Sequence, residues 1–174
     1  MKKKVLLRYS IMFLIVGALV GMDILTKVLF DNVNIKVLGD FFVLLSTKNY
    51  GAGLGILSGQ TVLLIVLSIV FLIGFIIFDY FYKNNNTLYF IAINLILAGA
   101  IGNLIDRIFL GYVRDFIYIN LPFMPYYFNI ADVFLTFGVI LLLIEILFKK
   151  NKKEKITVKA KDENRNEHGK DINK

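Results

Sequence analysis

"VLLIVLSIVFLIGFIIF", Val62 to Phe78, is a run of seventeen residues without a single charge. Helical backbone rises ~1.5 Å per residue, so about 20 such residues cross the ~30 Å hydrocarbon core of a bilayer. With its flank to Tyr82 the run is long enough. Three other segments have the same character, and the predicted spans lie roughly at 9–30, 62–82, 87–107 and 128–148. The fold class expected is all-α integral membrane, with four transmembrane helices forming one embedded domain over residues 1–148. "NIKVLGDFFVLLS", Asn34 to Ser46, partly alternates and carries β-branched residues. It predicts a small β-rich extracytoplasmic element between helices 1 and 2.

Composition agrees. The chain is 57% hydrophobic, with a mean hydropathy of +0.70. There are no cysteines, and the single histidine, His168, lies in a polar tail. Disulfides, thiolate nucleophiles, Ser-His-Asp triads and histidine-rich metal sites therefore lack parts. No cofactor or metal is expected. The chemistry left uses carboxylates, lysine, hydroxyls and amides.

The net charge of +7 is concentrated at the ends. Lys2, Lys3, Lys4 and Arg8 open the chain, and residues 149–174 carry ten basic and five acidic groups. Basic clusters flanking apolar spans hold chain ends in the cytosol, and no nucleic-acid partner is expected. Both termini are then cytosolic, "YKNNNT" (Tyr82 to Thr87) is a tight cytosolic turn, and segments 31–61 and 108–127 face outward. The Lys- and Asn-rich tail is expected to be disordered. The Lys-rich start also resembles a secretory signal, but no small-residue cleavage site follows, so an uncleaved span is expected.

Charges inside spans are costly and mark functional sites by default. Asp23 lies 15 residues beyond Arg8, Asn103 lies 16 beyond Thr87, and Asp132 lies 17 before Lys149. These separations correspond to about 22, 24 and 25 Å from the cytosolic boundary. Three helices thus bring polar groups to one level just inside the outer interface. Each forms a stripe on one helix face: Asp23 with Lys27; Asn103 with Asp106 and Arg107; Asn129 with Asp132 and Thr136.

Plainer readings stand beside these. Asp23 and Lys27 also suit an ion pair that locks helices together. Asp106 and Arg107 suit interfacial anchors. Asp79 and Glu145, near the cytosolic ends of their spans, are expected to reach water. Asn94, on the opposite face from Asn103, is expected to bond a neighbouring helix. "NYGAGLG" (Asn49 to Gly55) lacks the Lys-Ser/Thr of a phosphate loop.

Asp115 and Asp132 stand apart from the other acids. Asp132 has no basic neighbour within one helical turn, and Asp115 sits in the extended "YVRDFIYI" between two spans. If that segment folds back over the bundle, the two carboxylates can share one water. Like charges held close do not both ionise, which gives one acid and one base for attack on a peptide carbonyl. Arg114 either biases this pair or faces solvent.

At these residues the chain resembles the lipoprotein signal peptidases (signal peptidase II), bacterial membrane aspartic proteases. "DILTK" (Asp23 to Lys27), "NYGAG" (Asn49 to Gly53), "AGAIGNLIDR" (Ala98 to Arg107), "VRDF" (Val113 to Phe116) and "FNIAD" (Phe128 to Asp132) are similar to the family's motifs, in order, over nearly the whole chain to Phe148. The resemblance implies that Asp115 and Asp132 are the catalytic dyad. It implies substrate-binding or supporting roles for Asp23, Lys27, Asn49, Gly51, Asn103, Arg107 and Asn129. The implied substrate is a lipid-modified prolipoprotein, cut just before its diacylglyceryl cysteine. The implied setting is the bacterial cytoplasmic membrane, with membrane phospholipid around a monomer and the active site near the extracytoplasmic face. Ala98, Gly53 and Tyr118 depart from the usual pattern at positions that affect packing or loop shape.

Two other classes compete. A proton-coupled transporter needs polar groups running through to the cytosol, yet "VILLLI" (Val139 to Ile144) lies below Asp132. A purely structural bundle has no special need for both carboxylates.

Overall fold

The computed structural model describes residues 2–82, 84 and 86–149. Four helices are long and apolar enough to cross a membrane: α1 (Lys2–Leu29), α2 (Thr61–Tyr82), α3 (Thr87–Leu110) and α4 (Ile130–Lys149). They occupy the four spans the sequence predicts. Helix α1 begins further toward the N-terminus than expected, and α3 continues one turn past Arg107. The predicted tail lies outside the described residues beyond Lys149.

Helix α3 is the central one. Of its most apolar stretch 61% is buried, against 6%, 6% and 22% for α1, α2 and α4. Glycine makes this packing possible. A Cβ on Gly99 would collide with the Ala131 carbonyl oxygen of α4, and one on Gly138 would meet Ile96 of α3. Small residues at these crossings let the two backbones approach closely. The buried apolar layer is built from Val20, Ala98 and Phe134 on one level and Tyr89, Ile93 and Leu97 on another.

The segments between α1 and α2 and between α3 and α4 form one antiparallel sheet in the order β1-β2-β3-β4. Strands β1 (Asn34–Leu38) and β2 (Phe42–Asn49) follow α1, as the alternation predicts. The sheet also recruits β3 (Val113–Asn120) and β4 (Pro125–Phe128) from between α3 and α4, so the two excursions are stitched together by the β2–β3 pairing. Edge strand β1 is fully exposed and carries Lys36; Pro125 opens edge strand β4. Both features suit strands with a free edge. Tyr118 and Tyr127 pair across the last hairpin with ring centroids 4.8 Å apart. Phe30, just past α1, stacks on Phe116 of β3 at 5.0 Å, which seats the sheet on the bundle.

At the Arg8 end of the bundle, the expectation that Asp79 and Glu145 reach water is corrected. Both are buried. Asp79 pairs with Arg8 at 2.9 Å and accepts from the Tyr9 hydroxyl, while Glu145 accepts from Asn84 Nδ2 at 2.6 Å. Their cost of burial is offset by partners from other elements, which spacing along one helix does not reveal. Asn94 is corrected as well: its Nδ2 donates to Phe90 O of its own helix at 2.7 Å.

Candidate active site

Strand β3 and the first turn of α4 bring Asp115 and Asp132 together through one residue. Asn129 caps α4. Its Oδ1 accepts from Asp132 N at 3.0 Å, and its own backbone N donates to Asp132 Oδ2 at 3.1 Å. This reciprocal pair is a capping box with aspartate in the place usually taken by glutamate or glutamine. The Asn129 side chain then reaches outward: Nδ2 donates to Asp115 Oδ1 at 2.7 Å and to Asn103 Oδ1 at 3.1 Å.

The second oxygen of each carboxylate is also held. Asn103 Nδ2 donates to Asp132 Oδ1 at 2.7 Å, and Asn49 Nδ2 donates to Asp115 Oδ2 at 2.9 Å. Asn49 can reach because β2 and β3 are in register there. Asn49 lies opposite Val113, so Asp115, two residues on, is its diagonal neighbour on the same face. A register shift between Leu44 and Thr47 sets this alignment, and such bulges re-aim side chains beside functional sites. Asn49 Oδ1 in turn accepts from Gly51 N at 2.9 Å, and Gly51 O accepts from Arg107 Nη2 at 3.0 Å. A Cβ on Gly51 would lie 2.8 Å from Ile56 O. Glycine is needed for this loop to close.

Behind the carboxylates lies a buried ion network. Lys27 Nζ sits 2.7 Å from Asp23 Oδ2 and 3.4 Å from Asp106 Oδ2, and donates to Asn103 Oδ1 at 3.0 Å. Asp23 Oδ1 accepts from Ala131 N at 2.9 Å, so helix α1 also fixes the start of α4. The open question over Arg114 is settled by geometry. Its backbone N and its guanidinium both donate to Asp106, with Nη2 2.7 Å from Oδ1. Asp106 is buried and clamps the residue before Asp115; it is not an exposed anchor. The Asp106–Arg114 partnership is not legible in the sequence because it spans a helix end and a strand. Gly102 was also missed: its lack of a Cβ makes room for the Asp23 carboxylate.

Burial and then the Asp132 charge push the Asp115 carboxyl up to about 6, against the lowering effect of the Asn49 and Asn129 hydrogen bonds. A cavity of about 390 Å³ opens onto Asp115, lined also by Thr47, Asn49, Met124 and Tyr126. Burial, followed by the Asp132 and Asp115 charges, raises the Tyr126 phenol too, which places that ring in the field of both carboxylates. Among the described residues, no group of three or more acidic or histidine side chains is arranged to hold a metal.

The family model for Signal peptidase (SPase) II matches residues 15–148, a stretch that contains every residue of this site. The chain belongs to the signal peptidase II family. It is thus an integral membrane protein of the aspartic peptidase class. Family relatives include the lipoprotein signal peptidase of Clostridium novyi (strain NT), 40% identical over 115 residues, covering 65% of this chain and 78% of that one. The lipoprotein signal peptidase of Staphylococcus aureus (strain JH9) is 43% identical over 122 residues, covering 69% of this chain and 75% of its own. A bacterial membrane enzyme solved by the in meso method at 2.3 Å resolution superposes with a TM-score of 0.75 at 35% identity, over 83% of this chain and 92% of the other.

Proposed function

We propose that this signal peptidase II family member removes signal peptides from diacylglyceryl-modified prolipoproteins, cutting just before the lipidated cysteine, with Asp115 and Asp132 as the catalytic dyad. The observation that carries this reading is Asn129, which hydrogen-bonds both carboxylates at once. Asp132 sits in the first turn of α4, where the helix dipole favours a carboxylate, and is assigned the base. Asp115, with its raised carboxyl, is assigned the shared proton.

Water between them loses a proton to Asp132 as its oxygen bonds to the scissile carbonyl carbon. Asp115 donates to the carbonyl oxygen, giving a neutral tetrahedral diol. Collapse returns that proton to Asp115, breaks the C–N bond and passes the proton on Asp132 to the departing amine. No covalent enzyme intermediate forms. Asn49, Asn103 and Asn129 orient the carboxylates; Asp23, Lys27 and Arg107 hold those amides and the Gly51 loop in place.

The orientation proposed has both termini cytosolic and the site near the extracytoplasmic face of the bacterial cytoplasmic membrane. Residues 1–148 act as one peptidase domain. A buried layer around Ile93, Ile96 and Leu97, whose polar member Asn94 bonds within its own helix, separates the carboxylates from the polar cluster at the Arg8 end. This favours a protease over a transporter, which needs a polar route between the two ends.

Purified Asp115→Asn and Asp132→Asn variants incubated with lipidated prolipoprotein test the reading. Each should insert and fold yet give no gel shift, and full turnover by either removes the dyad. Reporters fused at Asn86 and Asn120 should lie on opposite sides of the membrane.

A further inference from the structure

At the end of the bundle remote from Asp115, a second cavity of about 330 Å³ opens between α1 and the start of α3. Lys4 and Arg8 line it one helical turn apart, with Asn84 and Thr87 opposite. Leu7, Ile11 and Phe90 form its apolar wall. Arg8 is fixed from three sides: Nη1 donates to Asn84 O at 3.0 Å, Nη2 pairs with Asp79 at 2.9 Å, and the guanidinium lies 5.7 Å from the Phe90 ring centre. Asp79 therefore neutralises Arg8, and among the described residues none that lines the cavity is acidic. Among the described residues lining the cavity, nothing offsets the positive charge that Lys4 adds.

Cation and hydroxyl at the helix ends, with an apolar wall running up the helices, match an amphipathic anion. A soluble anion has no use for Leu7 and Ile11, and a zwitterionic headgroup brings its own cation to Lys4. We infer that this cavity binds an anionic glycerophospholipid, its phosphate against Lys4 and its acyl chain along Leu7, Ile11 and Phe90. The floor of the cavity joins the whole bundle, since Asn84 links Arg8 of α1 to Glu145 of α4. A lipid seated there binds the folded chain alone and raises its stability by linkage.

The test uses the full chain in phosphatidylcholine nanodiscs with increasing phosphatidylglycerol, read by circular-dichroism melting and by native mass spectrometry of retained lipid. Wild type should gain Tm with the phosphatidylglycerol fraction and retain that lipid over phosphatidylcholine. Lys4→Gln should lose at least half of the Tm gain and several-fold of the retained lipid. Lys3→Gln, one residue away and outside the cavity lining, should behave as wild type. Equal losses in the two variants would reduce the effect to general surface charge and overturn the site. Equal retention of both lipids by wild type, or a Tm gain reproduced by inorganic phosphate alone, also overturns it.

Discussion

Asn129 and Asp132 cap one another, with hydrogen bonds of 3.0 and 3.1 Å running in opposite directions between side chain and backbone. Helix start and proposed catalytic base are therefore one structural unit. Asn129→Ala removes the cap and the bridge to Asp115 together. Loss of the cap costs about 1 kcal/mol of stability. Misplacement of the carboxylates should cost activity roughly 10²-fold, a much larger effect. A Tm shift of a few degrees with near-wild-type turnover in a lipidated-substrate assay would show that Asn129 serves the helix only.

Asp115 gives a pH signature independent of any substrate. Its carboxyl is raised in the folded chain to about 6 from an ordinary 3.8. Between those values the folded state keeps a proton that the unfolded state has released. Stability should therefore fall as pH rises through this window and level off above about pH 6. The contribution is roughly 3 kcal/mol across the window, at ~1.4 kcal/mol per pH unit. Asp115→Asn removes the titration, so its melting temperature should decline less from about pH 4 to about pH 7 than that of wild type in the same non-ionic micelles. Parallel curves would mean that Asp115 titrates normally.

The spans were legible because a membrane imposes length and apolarity on each helix independently, and the common depth of Asp23, Asn103 and Asp132 follows from helix rise alone. The β1–β2 hairpin was legible from alternation. Its enlargement by β3 and β4 was not, since the β2–β3 pairing joins residues about 70 apart in sequence and no local period encodes it. The family motifs marked Asn49 and Asn129 but not what they touch. Arg114 remained ambiguous beside Asp115 because its true partner, Asp106, lies across the α3–β3 turn. Asp79 and Glu145 were misread for a similar reason: position near a helix end suggested solvent, whereas Arg8 and Asn84 arrive from elsewhere to cover them.

Lys27 is the charge on which the inner network depends. It is 1% exposed and faces Asp23, Asp106 and Asn103. Lys27→Met leaves two buried carboxylates facing each other with one cation fewer, a change expected to cost ~3–5 kcal/mol. Arg114→Gln should cost less, because Arg114 is partly exposed and Asp106 keeps Lys27. Adding Asp23→Asn to Lys27→Met should recover part of the loss. Thermal melts of the four proteins, wild type included, check the order. Equal Tm values for Lys27→Met and Arg114→Gln would contradict it.

Gly102 offers a test of how tightly the site is built. A Cβ there would lie 2.5 Å from Asp23 Oδ2 and 3.2 Å from its Cγ, so the carboxylate that pairs with Lys27 must shift. Gly102→Ala should destabilise by ~1–3 kcal/mol through overpacking. The displaced Asp23 should also loosen its bond to Ala131 N, and with it the α4 turn that carries Asp132. Activity should therefore fall together with Tm. Gly17→Ala on α1, where a Cβ meets nothing within 4 Å, is the control. It should be neutral or slightly stabilising, because alanine is the better helix former by ~1 kcal/mol. If the two alanines behave alike, Asp23 has room to spare, and the close fit between α1 and α3 does not position the active site.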